Sequence, residues 1–375
     1  MIDLSALFGD AQVKDVQIRH FRVFPKSGAE RWLLESTQRR PWHLKTWPRA
    51  NLRARVIYRV AWIMGALGLN LPSRVEGFSV APESVYAQLS NRFDRLGIFL
   101  GTPGPNRKIV VYAARSDRSV FVKIPLGPVS LALVERESAA LSLLAQDPNL
   151  APLIPRADQV AGHLAIEDIE TQGVAHAALD LREVIRIHDQ LQHRSGMTKP
   201  LHELRQDWQV GPEGAVLEQD AGARVAISKA RAAADAFLNG FPADMGVPCY
   251  MAHGDFTRWN VLRAADGSAR IIDWELYGLK PRWFDVLHYI VSYHLLVVQT
   301  PACELLLHLR DVAQKHPKLC TDWWQQVGFY FCYQSLYYSA VFERQTDLRE
   351  HHQAFWQLKE WAEILRLLPA EMDKN

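Results

Sequence analysis

Residues 253–275 read HGDFTRWNVLRAADGSARIIDWE, and this stretch constrains the chain more than any other. Two short apolar, strand-prone runs flank Asp266-Gly267, and Asp-Gly between such runs is a strong hairpin signal. A hairpin brings its ends together, so Asn260, which begins the first strand, and Asp273, which ends the second, are expected to be neighbours. A carboxamide oxygen beside a carboxylate suits a hard divalent cation such as Mg²⁺, which takes one or two carboxylates and lets substrate phosphates and water complete its shell. Asp255 lies just before the hairpin, placed to orient an attacking hydroxyl and accept its proton. His253 reads as a buried prop for the loop rather than as the base.

The chain around this stretch is 375 residues long, which calls for more than one small core. Hydrophobic residues make up 48% and charged ones 22%, the balance of a globular chain, and the net charge of +2 gives no global field that would favour nucleic acid. The four cysteines, Cys249, Cys303, Cys320 and Cys332, form no CxxC pair and no zinc-type spacing, so they read as reduced thiols in a reducing, cytoplasmic compartment. The N-terminus has no basic start followed by an apolar run, and no stretch of about 18 apolar residues predicts a membrane span.

Residues 1–90 read as an accessory segment. Between Ser36 and Arg74 there are eight basic residues and no acid, with Trp42, Trp47 and Trp62 interleaved. Residues 36–74 thus have the makings of an interfacial membrane helix, and equally of a helix packed on the main body with solvated arginines; both readings stay open. Over residues 95–125, RLGIFLG, KIVVYAA and VFVKIP predict three antiparallel strands, the first two joined by the Gly/Pro turn GTPGPNR. A helix over GPVSLALVERESAALSLLAQDP follows, with Ser130 as its expected N-cap, and HLAIEDIETQG predicts a further strand ending in a linker. Beyond the linker the pattern is helical, apart from the hairpin, and rich in aromatics.

HGDFTRWN resembles the catalytic loop of the aminoglycoside phosphotransferase and choline kinase superfamily, small-molecule kinases with a protein-kinase-like fold, and IIDWE resembles that superfamily's metal motif. The resemblance covers roughly Leu96 to Tyr293. It implies an α+β, bilobal fold: a nucleotide-binding N-lobe over 91–170, built on a small antiparallel β-sheet, and a large, mainly helical C-lobe over 171–375 that binds the acceptor. It implies ATP as co-substrate, Mg²⁺ as cofactor and a hydroxylated small molecule, such as a saccharide or lipid-linked sugar, as acceptor. Asp255 matches the catalytic base, Asn260 and Asp273 the metal ligands, and Asp285, in GLKPRWFDVLHY, the brace of the catalytic loop. Gly254 and Trp274 stand where protein kinases usually carry arginine and phenylalanine, and both departures favour the small-molecule branch.

The same resemblance asks for a strand lysine paired with a helix glutamate. VFVKIP offers Lys123, and the helix offers Glu135 and Glu137. Glu137 follows Val134 and precedes Leu141 and Leu144 at helical spacing, so it rides on the apolar stripe and needs a partner. The phosphate loop is the poorest match: Gly101 and Gly104 are present, but there is no GxGxxG, and Pro103 and Pro105 lack N–H donors. Adenine is expected at backbone groups near Glu167, Asp168 and Ile169. Arg258 replaces the proline expected in this loop, and either contacts a phosphate or acidic substrate or caps the loop. Glu275 is a further candidate for metal or substrate. The competing function is a catalytically silent, nucleotide-binding pseudokinase scaffold, suggested by the degenerate glycine loop.

Overall fold

The computed structural model describes residues 3–373 except 11, 13, 27–29, 47–51, 68, 70–71, 105, 170–174, 177, 211–220, 265, 320–321 and 346–351. Trp47, Arg49 and Cys320 therefore lie outside the described residues. The chain divides into two compact units, one of residues 1–176 and 262–275 and the other of residues 177–261 and 276–375.

The first unit is built on an eight-stranded sheet whose paired neighbours all run antiparallel. Its strands are β1 (Gln17–Phe24), β2 (Trp32–Glu35), β3 (Arg74–Val80), β4 (Arg95–Phe99), β5 (Lys108–Ala114), β6 (Ser119–Pro125), β7 (Ala157–Val160) and β8 (His163–Glu167). They lie in the order β3-β1-β2-β4-β5-β6-β8-β7. The α-helices among the described residues of this unit are α1 (Ser5–Phe8), α2 (Leu52–Ala66), α3 (Val85–Arg92) and α4 (Pro128–Leu144).

The first ninety residues are part of this sheet. They supply β1–β3 to the same sheet, and Trp32 and Leu33 of β2 pair with Phe99 and Ile98 of β4. The reason is physical: β4 left as an edge would carry a row of unpaired backbone groups. Phe8, Phe21, Phe78 and Tyr86 pack ring against ring in the core, with Leu7, Val23 and Leu33 around them. A 3-10 turn over Trp42–Thr46 crosses β4 at Gly97, where an added Cβ would come within 2.3 Å of the His43 nitrogen. Only glycine allows that approach.

β6 alternates as a strand should, with Val120, Val122 and Ile124 buried in the core and Lys123 projecting from the opposite face. The N-cap of α4 is Gly127 rather than Ser130. Ser130 sits three residues further in, and its hydroxyl reaches back to accept the N–H groups of Leu126 and Gly127 at 3.0 and 3.1 Å. The position differs from the sequence expectation: Ser130 stands at N3 and serves the N–H groups at and before the N-cap instead of those of the first turn. A small antiparallel sheet of β9 (Ala175–His176), β12 (Val261–Arg263) and β13 (Ala269–Ile271) completes the unit. Its hairpin turns at Gly267, at φ +83°, as the Asp-Gly signal predicts.

The second unit is mostly helical: α5 (Leu181–Ser195), α6 (Leu201–Gln209), α7 (Ala221–Leu238), α8 (Phe284–Tyr293), α9 (Ala302–Lys315), α10 (Trp323–Gln345) and α11 (His352–Met372). Asp180 caps α5 by accepting the Glu183 N–H at 2.9 Å, and the Glu183 carboxylate returns the bond to the Asp180 N–H at 3.1 Å. A short antiparallel sheet, β10 (Met197–Pro200), β11 (Gly246–Ala252) and β14 (Gly278–Pro281), has β11 at its centre. β11 matters because it delivers the chain into His253. No described helix is long and apolar enough to cross a membrane.

Candidate active site

The site residues fall into two clusters, one in each unit. In the second unit β11 ends at Ala252, and His253 and Gly254 turn the chain. Gly254 takes φ +86°, and an added Cβ would lie 2.2 Å from the Leu276 carbonyl oxygen, so no other residue fits. Asp285, in the first turn of α8, accepts the N–H groups of His253 at 2.8 Å and of Gly254 at 3.0 Å. The Tyr250 hydroxyl accepts the N–H of Asp285 at 3.0 Å. A buried carboxylate facing two buried amides is a mutual solution: each would be costly to bury alone. His253 is buried, and its Nδ1 accepts the Asp255 N–H at 3.1 Å.

Both oxygens of Asp255 are held. Asn260 Nδ2 donates to Oδ2 at 2.8 Å and to the Asp255 backbone oxygen at 2.9 Å. His288 Nε2 lies 3.1 Å from Oδ1. The Gln334 amide nitrogen is 3.3 Å and the Tyr330 hydroxyl 2.9 Å from His288 Nδ1. With Nδ1 accepting from them, Nε2 carries the hydrogen and donates to Asp255. The carboxylate side chain keeps 32% exposure, so it is fixed yet open to a reactant. Because the Asn260 nitrogen faces Asp255, its side-chain oxygen remains as the ligand atom for a hard cation.

The first unit holds the second cluster. Lys123 Nζ lies 2.6 Å from Glu137 Oε2 and 2.9 Å from Asp273 Oδ1. Glu137 is fully buried, whereas Glu135 is exposed. Burial alone would lower the Lys123 ammonium, but the carboxylates of Asp273 and Glu137 outweigh it and hold its pKa above the ordinary value. Burial, together with the negative charge of Asp273, raises both Glu137 and Glu275. Glu275 forms an ion pair with Lys108 at the start of β5. Asp273 takes φ +68°, a left-handed conformation that aspartate tolerates better than most residues.

Ligand oxygens of Glu137, Asp273 and Glu275 lie within 4.8 Å of one another, and Glu137 Oε1 is buried without a hydrogen-bond partner. Three crowded carboxylates against two lysines form a hard-oxygen donor set, which fits Mg²⁺ by its chemistry.

Other expected contacts stand differently. The N–H groups of Glu167 and Asp168 donate to the carbonyls of Arg156 and Ser119, both at 2.9 Å. Ile169 is buried beside Leu262. Gly101 and Gly104 both take positive φ in the β4–β5 loop, and the Arg107 Nε of that loop donates to the Leu100 carbonyl at 2.8 Å. The Asp168 side chain is buried, with Lys45 at 3.5 Å. The sequence reading missed His288, Tyr330, Gln334 and the Lys108–Glu275 pair. His288 could have been found, since it stands three residues after Asp285 on the same helical face. Tyr330 and Gln334 sit in an aromatic helix with no motif to mark them.

Residues 106–315, more than half of the chain, match the family model of the phosphotransferase enzyme family, APH. The chain belongs to that family. Several solved structures resemble it. Choline kinase LicA from Streptococcus pneumoniae is 17% identical with a TM-score of 0.42, over 66% of this chain and 89% of that one. A microcompartment-associated aminopropanol kinase is 15% identical with a TM-score of 0.48, over 76% and 96%. Aminoglycoside phosphotransferase APH(4)-Ia is 14% identical with a TM-score of 0.46, over 74% and 96%. No curated protein sequence matches the chain.

Proposed function

We propose that the protein is an ATP-dependent kinase that transfers the γ-phosphoryl group to a hydroxyl of a small molecule, a saccharide or lipid-linked sugar. The observation that carries this reading is the Asp255 carboxylate, held by His288 and Asn260 on a loop that Asp285 braces. Lys123, held by Glu137, takes the α- and β-phosphates. Asp255 orients the acceptor hydroxyl and accepts its proton. The new O–P bond forms as the bond from the γ-phosphorus to the ADP oxygen breaks, and the proton ends on the Asp255 carboxylate. Asp273 and Glu275 would supply carboxylates, and Asn260 a carboxamide oxygen, to Mg²⁺, whose charge would offset that of the phosphates.

Most of the rate comes from positioning and electrostatics, which a fixed base and a fixed lysine supply. A silent scaffold would need none of the bonds that hold Asp255. The test is Asp255→Ala, assayed with γ-labelled ATP against a panel of hydroxylated metabolites and sugars. Turnover on the accepted substrate should fall by about 10²- to 10⁴-fold. A loss of only a few-fold would remove Asp255 from the chemistry and the reading with it.

A second reading concerns where the acceptor sits, and α2 favours it. Tyr58 and Trp62 stack on each other, and Trp62 packs edge-on to Trp42. The other face presents Val56, Val60, Ile63 and Leu67, each more than half exposed, at positions i, i+4, i+7 and i+11. Arg59, Arg39 and Arg40 are exposed nearby in sequence, within a segment that has no acid. Such a stripe beside basic residues suits an anionic lipid surface. The protein should co-sediment with phosphatidylglycerol vesicles and not with phosphatidylcholine ones, and Val60→Glu with Ile63→Glu should abolish this. Wild-type protein left in the supernatant with anionic vesicles would end the lipid reading.

A further inference from the structure

Arg258 lies three residues after Asp255 in the same loop and is half-buried, yet the mechanism above gives it no part. Its guanidinium carbon is 3.6 Å from the centre of the Tyr293 ring and 5.5 Å from that of Tyr289. Tyr289 is itself fixed, because its hydroxyl accepts the Leu179 N–H at 2.7 Å and donates to the Leu179 carbonyl at 3.1 Å. Among the described residues no carboxylate pairs with Arg258, and its Nε is buried without a hydrogen-bond partner. Stacking on tyrosines orients a guanidinium and partly compensates its charge. It leaves the N–H edges, the fork that matches carboxylate and phosphate oxygens, without an acceptor.

The neighbouring ring pair does not cancel that charge, since burial holds both histidines in the neutral form. After Tyr293, α8 widens into a π-helical turn over His294–Val298, a local insertion that recurs at functional sites. The turn sets the His294 ring 4.2 Å from that of His308 on α9, and His294 Nδ1 is 3.0 Å from the Thr300 hydroxyl. Burial pushes His294 down to about 4, with His308 and Arg258 adding to the effect. Burial also lowers His308; Asp311 opposes this, while Lys315 and Arg258 reinforce it. The Asp311 carboxylate is paired with Lys315 at 2.7 Å, so it does little to neutralise the group. The Tyr293 ring on which Arg258 stacks is 5.8 Å from the His294 ring, so the two histidines follow directly on the aromatic pair that holds the arginine.

We propose that Arg258, with His294 and His308, forms a subsite for a phosphate or carboxylate group carried by the acceptor, so that the acceptor is an anionic hydroxylated molecule. The assignment of the anion to an acceptor rests on the phosphotransferase reading; the anion binding itself does not. The planar guanidinium, held by Tyr293 and Tyr289, presents its N–H edge to two oxygens, and the histidines take up protons as the anion arrives. This places the acceptor's anionic group a few residues from the base that receives its hydroxyl proton.

The test follows the ring signals of His294 and His308 by NMR in the full chain, titrated with inorganic phosphate in one arm and acetate in the other. At least one anion should move both sets of signals with a common midpoint and raise the pKa of His294. Arg258→Lys keeps the charge but loses the fork and the flat stack, and should weaken the midpoint by about tenfold. Arg258→Met should abolish the response. A brace that merely tied the loop to α8 would give no anion-dependent shift at either histidine. Signals that stay still up to about 50 mM of both anions, an affinity too weak to matter, would overturn the subsite, as would equal responses in wild type and both variants. If the signals respond but Asp255→Ala keeps its turnover, the anion site stands and the kinase reading fails. If the signals stay still while Asp255→Ala is inactive, the subsite alone fails.

Discussion

Asp285 and His288 share one helical face three residues apart, but they hold the catalytic loop by different means, and their substitutions should separate. Asp285 accepts two buried amides, so Asp285→Ala leaves both without a partner, at about 1–3 kcal/mol each. That variant should lose stability and activity together, read as a lower urea midpoint and a lower kcat. His288 touches only side chains: Asp255 on one nitrogen, Tyr330 and Gln334 on the other. His288→Leu should therefore lower kcat by about ten- to a hundredfold through a misaimed base, with the KM for ATP nearly unchanged. If both variants lowered the urea midpoint alike with kcat intact, the bonds to Asp255 would be packing rather than alignment. This residue scale was partly legible. The helical period separated Glu137 from Glu135, because a charge on an apolar stripe demands a partner that a surface charge does not. Lys108 could not be assigned that way, since a lysine at a strand start looks the same whether it meets water or Glu275.

Elements were legible where one period dominated and obscure where proline or tertiary pairing decided. β4, β5, β6 and α4 follow from alternation, turn residues and a helical stripe, and the β12–β13 hairpin follows from Asp-Gly. The sheet that carries the catalytic loop did not announce itself. β10, β11 and β14 each contain a proline, Pro200, Pro248 and Pro281, which demotes a run as a strand on sequence alone. In the structure Pro248 faces Thr198, and Pro281 faces Cys249, in a three-stranded sheet short enough to tolerate the missing donors. β1–β3 were missed for another reason. The basic, tryptophan-rich segment between β2 and β3 drew attention to itself, while the strands on either side become ordered only by pairing with one another and with β4. The π-helical turn after α8 has no sequence period of its own, and so the meeting of His294 with His308 was invisible.

Across the whole molecule, each unit buries a histidine that must stay uncharged. In the first unit His43 stacks on Phe24 at 4.3 Å, and burial, aided by Arg22, pushes it down to about 3. In the second, His188 packs against Tyr250 and Trp283. Burial lowers it to about 3, against its hydrogen bond to Gln192 and with Arg282 in support. Both folded values lie below the unfolded value of 6.5. Between about 3 and 6.5 the unfolded chain binds a proton at each site that the folded chain refuses. Stability therefore rises with pH across that window and is lost as pH falls from 6.5. At pH 5 each histidine should cost about 2 kcal/mol relative to pH 8. The first unit mixes signs, because Glu137 and Glu275 are raised and so favour the folded state as protons are added. The second unit offers the cleaner reading, through the difference between wild type and His188→Gln. Urea midpoints measured from pH 8 to pH 5 should converge as the pH falls, since the variant lacks the group that the unfolded wild type protonates. Parallel midpoints over that range would mean that His188 is charged in the folded protein and that its packing against Tyr250 and Trp283 does not exclude the proton.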